Sequence, residues 1–170
     1  MHTANGIQTF SEAMNIELIA VGKTDAAEIE SLIATYAKRI NFYCKFSMTI
    51  VPDVRNNRNI APKQQKKAEG ESILRTIADG DYVILLDEHG EELRSMQFAD
   101  LMRKRMNSGV KRLVFVIGGP YGFSDEVYAR ADHKLSLSRM TFSHQFVRAI
   151  FAEQLYRAFT ILNNEPYHHE

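Results

Sequence analysis

Two short runs constrain this chain more than anything else in it: YVILL at residues 82–86 and RLVFVI at residues 112–117. A strand with one wet face alternates apolar and polar residues, and these do not alternate. Such strands are buried on both faces, which is the condition of a parallel sheet covered by helices on each side. The rest of the chain supplies the elements this requires. Residues 15–21 (NIELIAV) read as a first strand. Thr24 or Asp25 is placed to cap a helix over residues 26–40, in which Ile29, Leu32, Ile33, Tyr36 and Ile40 recur at helical spacing. Residues 46–51 read as a strand stopped by Pro52. Pro62 suits the first turn of a helix running to about residue 78. The run at 82–86 ends in the polar turn Asp87-Glu88-His89-Gly90. Ser95 is placed to cap a helix over residues 96–106, and Ser124 a short one to residue 131. A short strand at 134–137 precedes the longest helix, residues 145–162, with Ser143 as its cap and Phe146, Ile150, Phe151, Leu155, Phe159 and Leu162 on its apolar side. Alternating strands and helices predict an α/β fold: a mainly parallel sheet of about five strands with helices on both faces.

At 170 residues the chain has room for one domain with a substantial core. Residues 1–13 lack the charged and apolar regions of a signal peptide and read as an extension ahead of a domain spanning residues 14–170. No apolar run approaches the roughly 18 residues of a membrane span, so the expectation is a cytoplasmic protein with no membrane contact. Cys44 is the only cysteine and has no sequence neighbour to activate it, so it reads as a small apolar filler. The formal net charge is zero, which argues against a surface coated in nucleic acid. The charge is nevertheless uneven. Arg55, Arg58, Lys63, Lys66 and Lys67 form one acid-free basic segment, and Arg103, Lys104, Arg105, Lys111 and Arg112 another. Each reads equally well as a solvated face or as a local RNA contact.

Ligands in open parallel sheets bind at the carboxyl ends of the strands. Three such ends stand out: Leu86-Asp87, residues 117–122 and residues 137–142. Gly118 and Gly119 directly follow a buried-type strand, where backbone must turn tightly or approach something closely. They form neither a dinucleotide fingerprint nor a phosphate loop, because Pro120 and Phe123 stand where glycines would be needed and no Gly-Lys-Ser/Thr follows. From spacing alone, a ligand loop and a plain tight turn remain equal readings. Leu137, Ser138, Arg139, Met140, Thr141 and Phe142 form a connection able to wrap an adenine ring and a sugar, or an ordinary loop. His144 and Arg148 lie one helical turn apart and can point the same way.

These segments carry a resemblance. Leu86-Asp87, Ile117-Gly118-Gly119-Pro120-x-Gly122, Leu137-Ser138-x-x-Thr141, His144-x-x-Val147-Arg148, Glu153-Gln154-Leu155-Tyr156-Arg157-Ala158 and Asn164-x-Pro166-Tyr167-His168, in this order, resemble the ribosomal large-subunit methyltransferase H family of the SPOUT superfamily. The resemblance covers nearly the whole of residues 14–170. It implies a deep trefoil knot near the C-terminus, a pocket for S-adenosyl-L-methionine formed by the knot, and a homodimer with its active site near the subunit interface. It also implies the reaction, methylation of N3 of a pseudouridine in helix 69 of large-subunit rRNA in assembled ribosomes. Carried over by motif, the cofactor touches Leu86, Gly118, Gly119, Leu137, Ser138, Arg139, Met140, Thr141 and Phe142. The acceptor side involves His144, Arg148, Tyr167 and His168, with the tail continuing through His169 and Glu170. The penultimate residue, arginine in many relatives, is His169 here.

Methyl transfer from a sulfonium is an in-line displacement with a neutral leaving group, so the enzyme mainly aligns the acceptor. Pseudouridine N3 carries a proton between two carbonyls, and its loss leaves an anion that a cation or donor stabilises. Arg148 is accordingly expected to act electrostatically, and His168 or His144 in proton removal or positioning. No metal is expected, since His168-His169 lacks a third ligand. Tyr167 can stack on a splayed base, with the segment from Arg55 to Lys67 on phosphates. Two alternatives compete: a SPOUT enzyme with another RNA target, and a non-catalytic ribosome-associated RNA-binding module. A flavodoxin-like nucleotide binder ranks behind both, because Val21-Gly22-Lys23-Thr24 is too short for a phosphate loop.

Overall fold

The computed structural model describes residues 14–54 and 59–170. The expected N-terminal extension and the basic residues Arg55 and Arg58 lie outside the described residues. The elements follow in the order β1 (Asn15–Val21), α1 (Ala27–Ile40), β2 (Phe46–Val51), α2 (Pro62–Thr76), β3 (Tyr82–Glu92), α3 (Ser95–Asn107), β4 (Arg112–Ile117), α4 (Asp125–Arg130), β5 (His133–Ser136) and α5 (Phe146–Leu162). The five strands form one sheet in the order β2-β1-β4-β3-β5, and every pairing is parallel.

The non-alternating strands sit where their composition requires. Along β4, Leu113, Phe115 and Ile117 point into a core closed by Phe98 and Met102 of α3 and Phe151, Leu155 and Phe159 of α5. Val114 and Val116 point the other way, to Ile73 of α2 and Val127 of α4. Both faces of β4 are therefore dry, and the period-2 geometry of the strand distributes its apolar residues to two helix layers.

Several boundaries differ from expectation. Neither Thr24 nor Asp25 caps α1. The cap position is Ala26 and makes no side-chain bond. Helix α3 begins at Ser95 rather than after it, and Arg94 N–H donates to Gln97 Oε1 at 2.8 Å. Ser124 does cap α4, accepting from Val127 N–H, and the Ser143 hydroxyl accepts from Phe146 N–H at 3.0 Å. The apolar face of α5 is Phe151, Ala152, Leu155, Ala158 and Phe159, whereas Phe146 is half exposed. Cys44 is buried as expected, and desolvation pushes its thiol up to about 12.

The largest difference is in β3. It does not stop at Leu86. It pairs with β5 from Ile84↔His133 to Leu86↔Leu135, leaves the ladder, and rejoins it at Glu91↔Leu135 and Glu92↔Ser136. The polar residues read as a terminating turn are an excursion within the strand. Gly90 makes the return possible: a Cβ there would lie 2.6 Å from Leu135 N and 2.7 Å from Lys134 C, both backbone atoms that cannot move aside.

Candidate functional site

The carboxyl ends of β3, β4 and β5 meet around a cavity of about 630 Å³, within the usual ~300–1,000 Å³ range for small-ligand sites. All three strand ends singled out in the sequence contribute: Leu86-Asp87, the stretch from Ile117 to Gly122, and Leu137, Ser138, Met140, Thr141 and Phe142. His144 and Val147, at the entry to α5, close the floor.

The glycine loop is built as a tight turn that also lines the cavity. Gly122 N–H donates to Gly119 O at 3.1 Å, and Gly122 has φ +80°, which suits glycine at that position. On its protein side the loop has no slack. A Cβ on Gly119 would approach Glu69 Oε2 to 2.5 Å. Glu69 is itself buried in α2, where Gln65 Nε2 donates to its Oε1 at 3.0 Å. The tight turn left open by spacing is present, and the same loop borders the cavity.

The loop before α5 is shaped by its serines. Ser138 Oγ accepts from Met140 N–H at 2.9 Å, and Ser136 Oγ donates to Ser138 O at 3.0 Å. Arg139 departs from the expected cofactor contact: it is not among the lining residues, and its exposed guanidinium pairs with Glu92 at 2.9 Å. Met140 and Phe142 line the cavity but also reach solvent, Met140 being 77% exposed.

Arg148 also departs from expectation. The side chain is fully buried. Its Nη2 donates to Val21 O at 2.7 Å, its Nη1 to Gly22 O at 2.8 Å and Thr24 Oγ1 at 3.1 Å, and its Nε to His144 O at 3.1 Å. The guanidinium fastens the end of β1 to the start of α5 and does not face the cavity. Gln145 repeats the tie, accepting from Asp25 N–H at 3.1 Å and donating to Lys23 O at 3.0 Å. Together they fix the backbone that presents His144.

Tyr167 and His168 do not line the cavity either. The Tyr167 hydroxyl donates to Glu153 Oε1 at 3.0 Å, Arg157 lies over its ring at 4.8 Å, and Arg157 Nη1 is 3.2 Å from His168 Nδ1. Glu153 also pairs with Arg157. Burial, together with Tyr36 and Glu153 as hydrogen-bond partners, raises the Tyr167 phenol well above its ordinary value. Glu153 lies roughly 9 Å along the helix axis from Val147.

Sequence reasoning missed several lining residues. Glu88 and His89 face the cavity from the β3 excursion, and Tyr121 and Tyr128 join them from the loop after β4 and from α4. Lys66, expected only as a phosphate contact, reaches the cavity from α2. Among the described residues, no cluster of three or more His, Cys, Asp or Glu could hold a metal, and no helix is long and apolar enough to cross a membrane.

Comparison with known proteins decides the family. A family model described as "Predicted SPOUT methyltransferase" matches residues 14–168. The chain is a SPOUT methyltransferase. Its relatives in this family are close: a protein of Christiangramia forsetii named "Ribosomal RNA large subunit methyltransferase H" is 58% identical, over 92% of this chain and 99% of the relative. A protein of the same name from Flavobacterium psychrophilum is 58% identical, over 92% of this chain and 100% of its own length. Among solved structures, the "Probable Methyltransferase from Bordetella pertussis Tohama I" superposes with a TM-score of 0.50 at 12% identity, covering 90% of this chain and 97% of that one. That likeness shows the shared fold. For a SPOUT methyltransferase of this kind, the cavity at the ends of β3, β4 and β5 is the site to examine for cofactor.

Proposed function

We propose that this SPOUT methyltransferase uses S-adenosyl-L-methionine to methylate N3 of a pseudouridine in helix 69 of large-subunit ribosomal RNA, acting on assembled ribosomes as a cytoplasmic homodimer. The observation that carries this reading is the cavity itself. Motif residues from three separate strand ends converge on it, in a chain 58% identical to proteins named for the large-subunit rRNA reaction. The lining fits the cofactor. Leu86, Ile117 and Leu137 offer apolar cover for an adenine, the Gly118-Gly119 backbone permits close approach, and Glu88 supplies a carboxylate. The cofactor supplies an electrophilic methyl group on sulfonium sulfur.

The protein's own residues have simpler tasks. Leu86, Gly118, Gly119, Leu137, Ser138, Met140, Thr141 and Phe142 hold and orient the cofactor. His144 faces the cavity and is placed to position the acceptor or take the N3 proton. Arg148 supports it from behind. Tyr167 and His168, fixed on α5 away from their own cavity, are assigned to the acceptor side of the second protomer. This gives the dimer a chemical reason. The domain spans residues 14–170, and its C-terminal strands and α5 are assigned the trefoil knot of the family, which an electron-density trace through residues 110–162 tests.

Because the net charge is zero, recognition rests on shape as well as phosphate contacts, with Lys63, Lys66 and Lys67 on the backbone. The test is methyl incorporation into an isolated helix 69 stem-loop and into intact ribosomes. Incorporation at least tenfold faster on ribosomes is expected. Equal rates on both contradict ribosome-level selection. Sedimentation at micromolar concentration tests the dimer, and a monomer would contradict it.

A further inference from the structure

The β3 excursion is polar, has left the sheet ladder and yet forms one wall of the cavity, so something other than strand pairing must hold it. Asp87 does so from both carboxylate oxygens. Its Oδ1 accepts from His89 N–H at 2.8 Å, closing the turn, and its Oδ2 accepts from the Tyr128 hydroxyl of α4. The Asp87 side chain is only 6% exposed, while its partners Tyr128 and His89 reach solvent. Tyr128 is itself braced. Its ring meets Phe123 edge-on with centroids 5.7 Å apart, and Lys134 Nζ lies 5.6 Å from the ring centroid. Burial and the Asp87 carboxylate raise its phenol well above the ordinary value, so the hydroxyl remains a donor across the working pH range. At the far end of the excursion Gly90 sits against the β5 backbone. The segment is therefore pinned at Asp87 and at Gly90, with Glu88 and His89 presented to the cavity between the pins.

We infer that the Asp87–Tyr128 pair is a latch that positions the β3 excursion as a wall of the cofactor cavity and thereby sets cofactor affinity. Tyr128 is a positioning residue: it acts on the pocket through Asp87. The inference rests on the reading of this cavity as the cofactor site. The test is a cycle of Tyr128→Phe, Asp87→Asn and the double variant, titrated calorimetrically with S-adenosylhomocysteine. Each single change is expected to weaken binding roughly tenfold, the loss associated with one hydrogen bond to a charged group, and the double variant no more than either single one. With ribosomes as substrate, Tyr128→Phe is expected to raise KM for the cofactor more than it lowers kcat, a split that mere loss of folded protein would not produce. Additive losses, or affinity within twofold of the unmodified protein in Tyr128→Phe, overturn the latch. Failure of the unmodified protein to bind S-adenosylhomocysteine overturns the cofactor reading instead. In that case amide exchange still decides the latch: Tyr128→Phe must accelerate exchange at His89, and unchanged protection there refutes it.

Discussion

The two ends of the sheet are built on opposite plans, and two arginines show it. At the amino ends of the strands, Arg112 opens β4 with Glu17 of β1 and Asp81 on either side. It donates to Asp81 at 2.5 Å, pairs with Glu17, and bonds Thr76 O at 3.2 Å. Nearby, Asp132 accepts from Val83 N–H at 2.8 Å, and Arg130 donates to Ala78 O and Asp81 O at 2.9 Å. Charge here neutralises charge, and the connections are short. At the carboxyl ends, Arg148 bonds mainly to backbone carbonyls, and what it holds in place is a loop and a histidine beside a cavity. One end uses its polar groups to close the fold. The other uses them to keep a space open.

That contrast can be broken most severely at the glycine loop. Gly119→Val places a branched side chain where even a Cβ meets the Glu69 carboxylate at 2.5 Å. S-adenosylhomocysteine affinity is expected to fall at least a hundredfold while the far-ultraviolet circular dichroism stays native. The arginines give the next effect. Arg112→Met strands two carboxylates and is expected to cost about 3 kcal/mol, a fall of roughly 6–12 °C in Tm, with ligand affinity unchanged. Arg148→Met is expected to cost about as much in stability and, unlike Arg112→Met, to lower kcat as well, because His144 loses its backbone support. Equal kinetic effects from the two would erase the distinction between the ends.

The smallest effect comes from Cys44. Its thiol is buried and pushed up to about 12. The unfolded chain releases that proton near its ordinary value of 9.0, so the native state binds the proton more tightly. Stability from this group is complete below pH 9 and declines as pH rises from there toward 12. Labelling by a thiol reagent at pH 8 is expected to require unfolding, and rapid labelling of the native protein would contradict the burial.

The sequence made the strands and the three strand ends legible because both depend on local pattern, whereas Arg112, read as part of a basic segment, pairs instead with Glu17 and Asp81 from distant parts of the chain. The strands read at 112–117 and 15–21 match β4 and β1 residue for residue, and in β4 the absence of alternation is itself the signal of two dry faces. The β3 excursion was illegible because Asp87-Glu88-His89-Gly90 has turn composition, and only pairing with Leu135 and Ser136, more than forty residues on, carries the chain through it. The partners of Arg148 were illegible for a similar reason. Spacing of four places it beside His144, but cannot show that its face is dry or that carbonyls 126 and 127 positions upstream are waiting for it. The tail residues Tyr167 and His168 were singled out only through the resemblance, since no periodicity distinguishes them from an ordinary polar end.

What the open end of the sheet is for can be read from where a transferred methyl group goes. The most direct measurement supplies the purified protein with methyl-labelled S-adenosylmethionine and two ribosome preparations, one carrying the helix 69 pseudouridine and one with uridine in its place. Label in the large-subunit rRNA of the first, and at least a hundredfold less in the second, is the predicted result. Equal labelling of both, or no labelling of either, would contradict it.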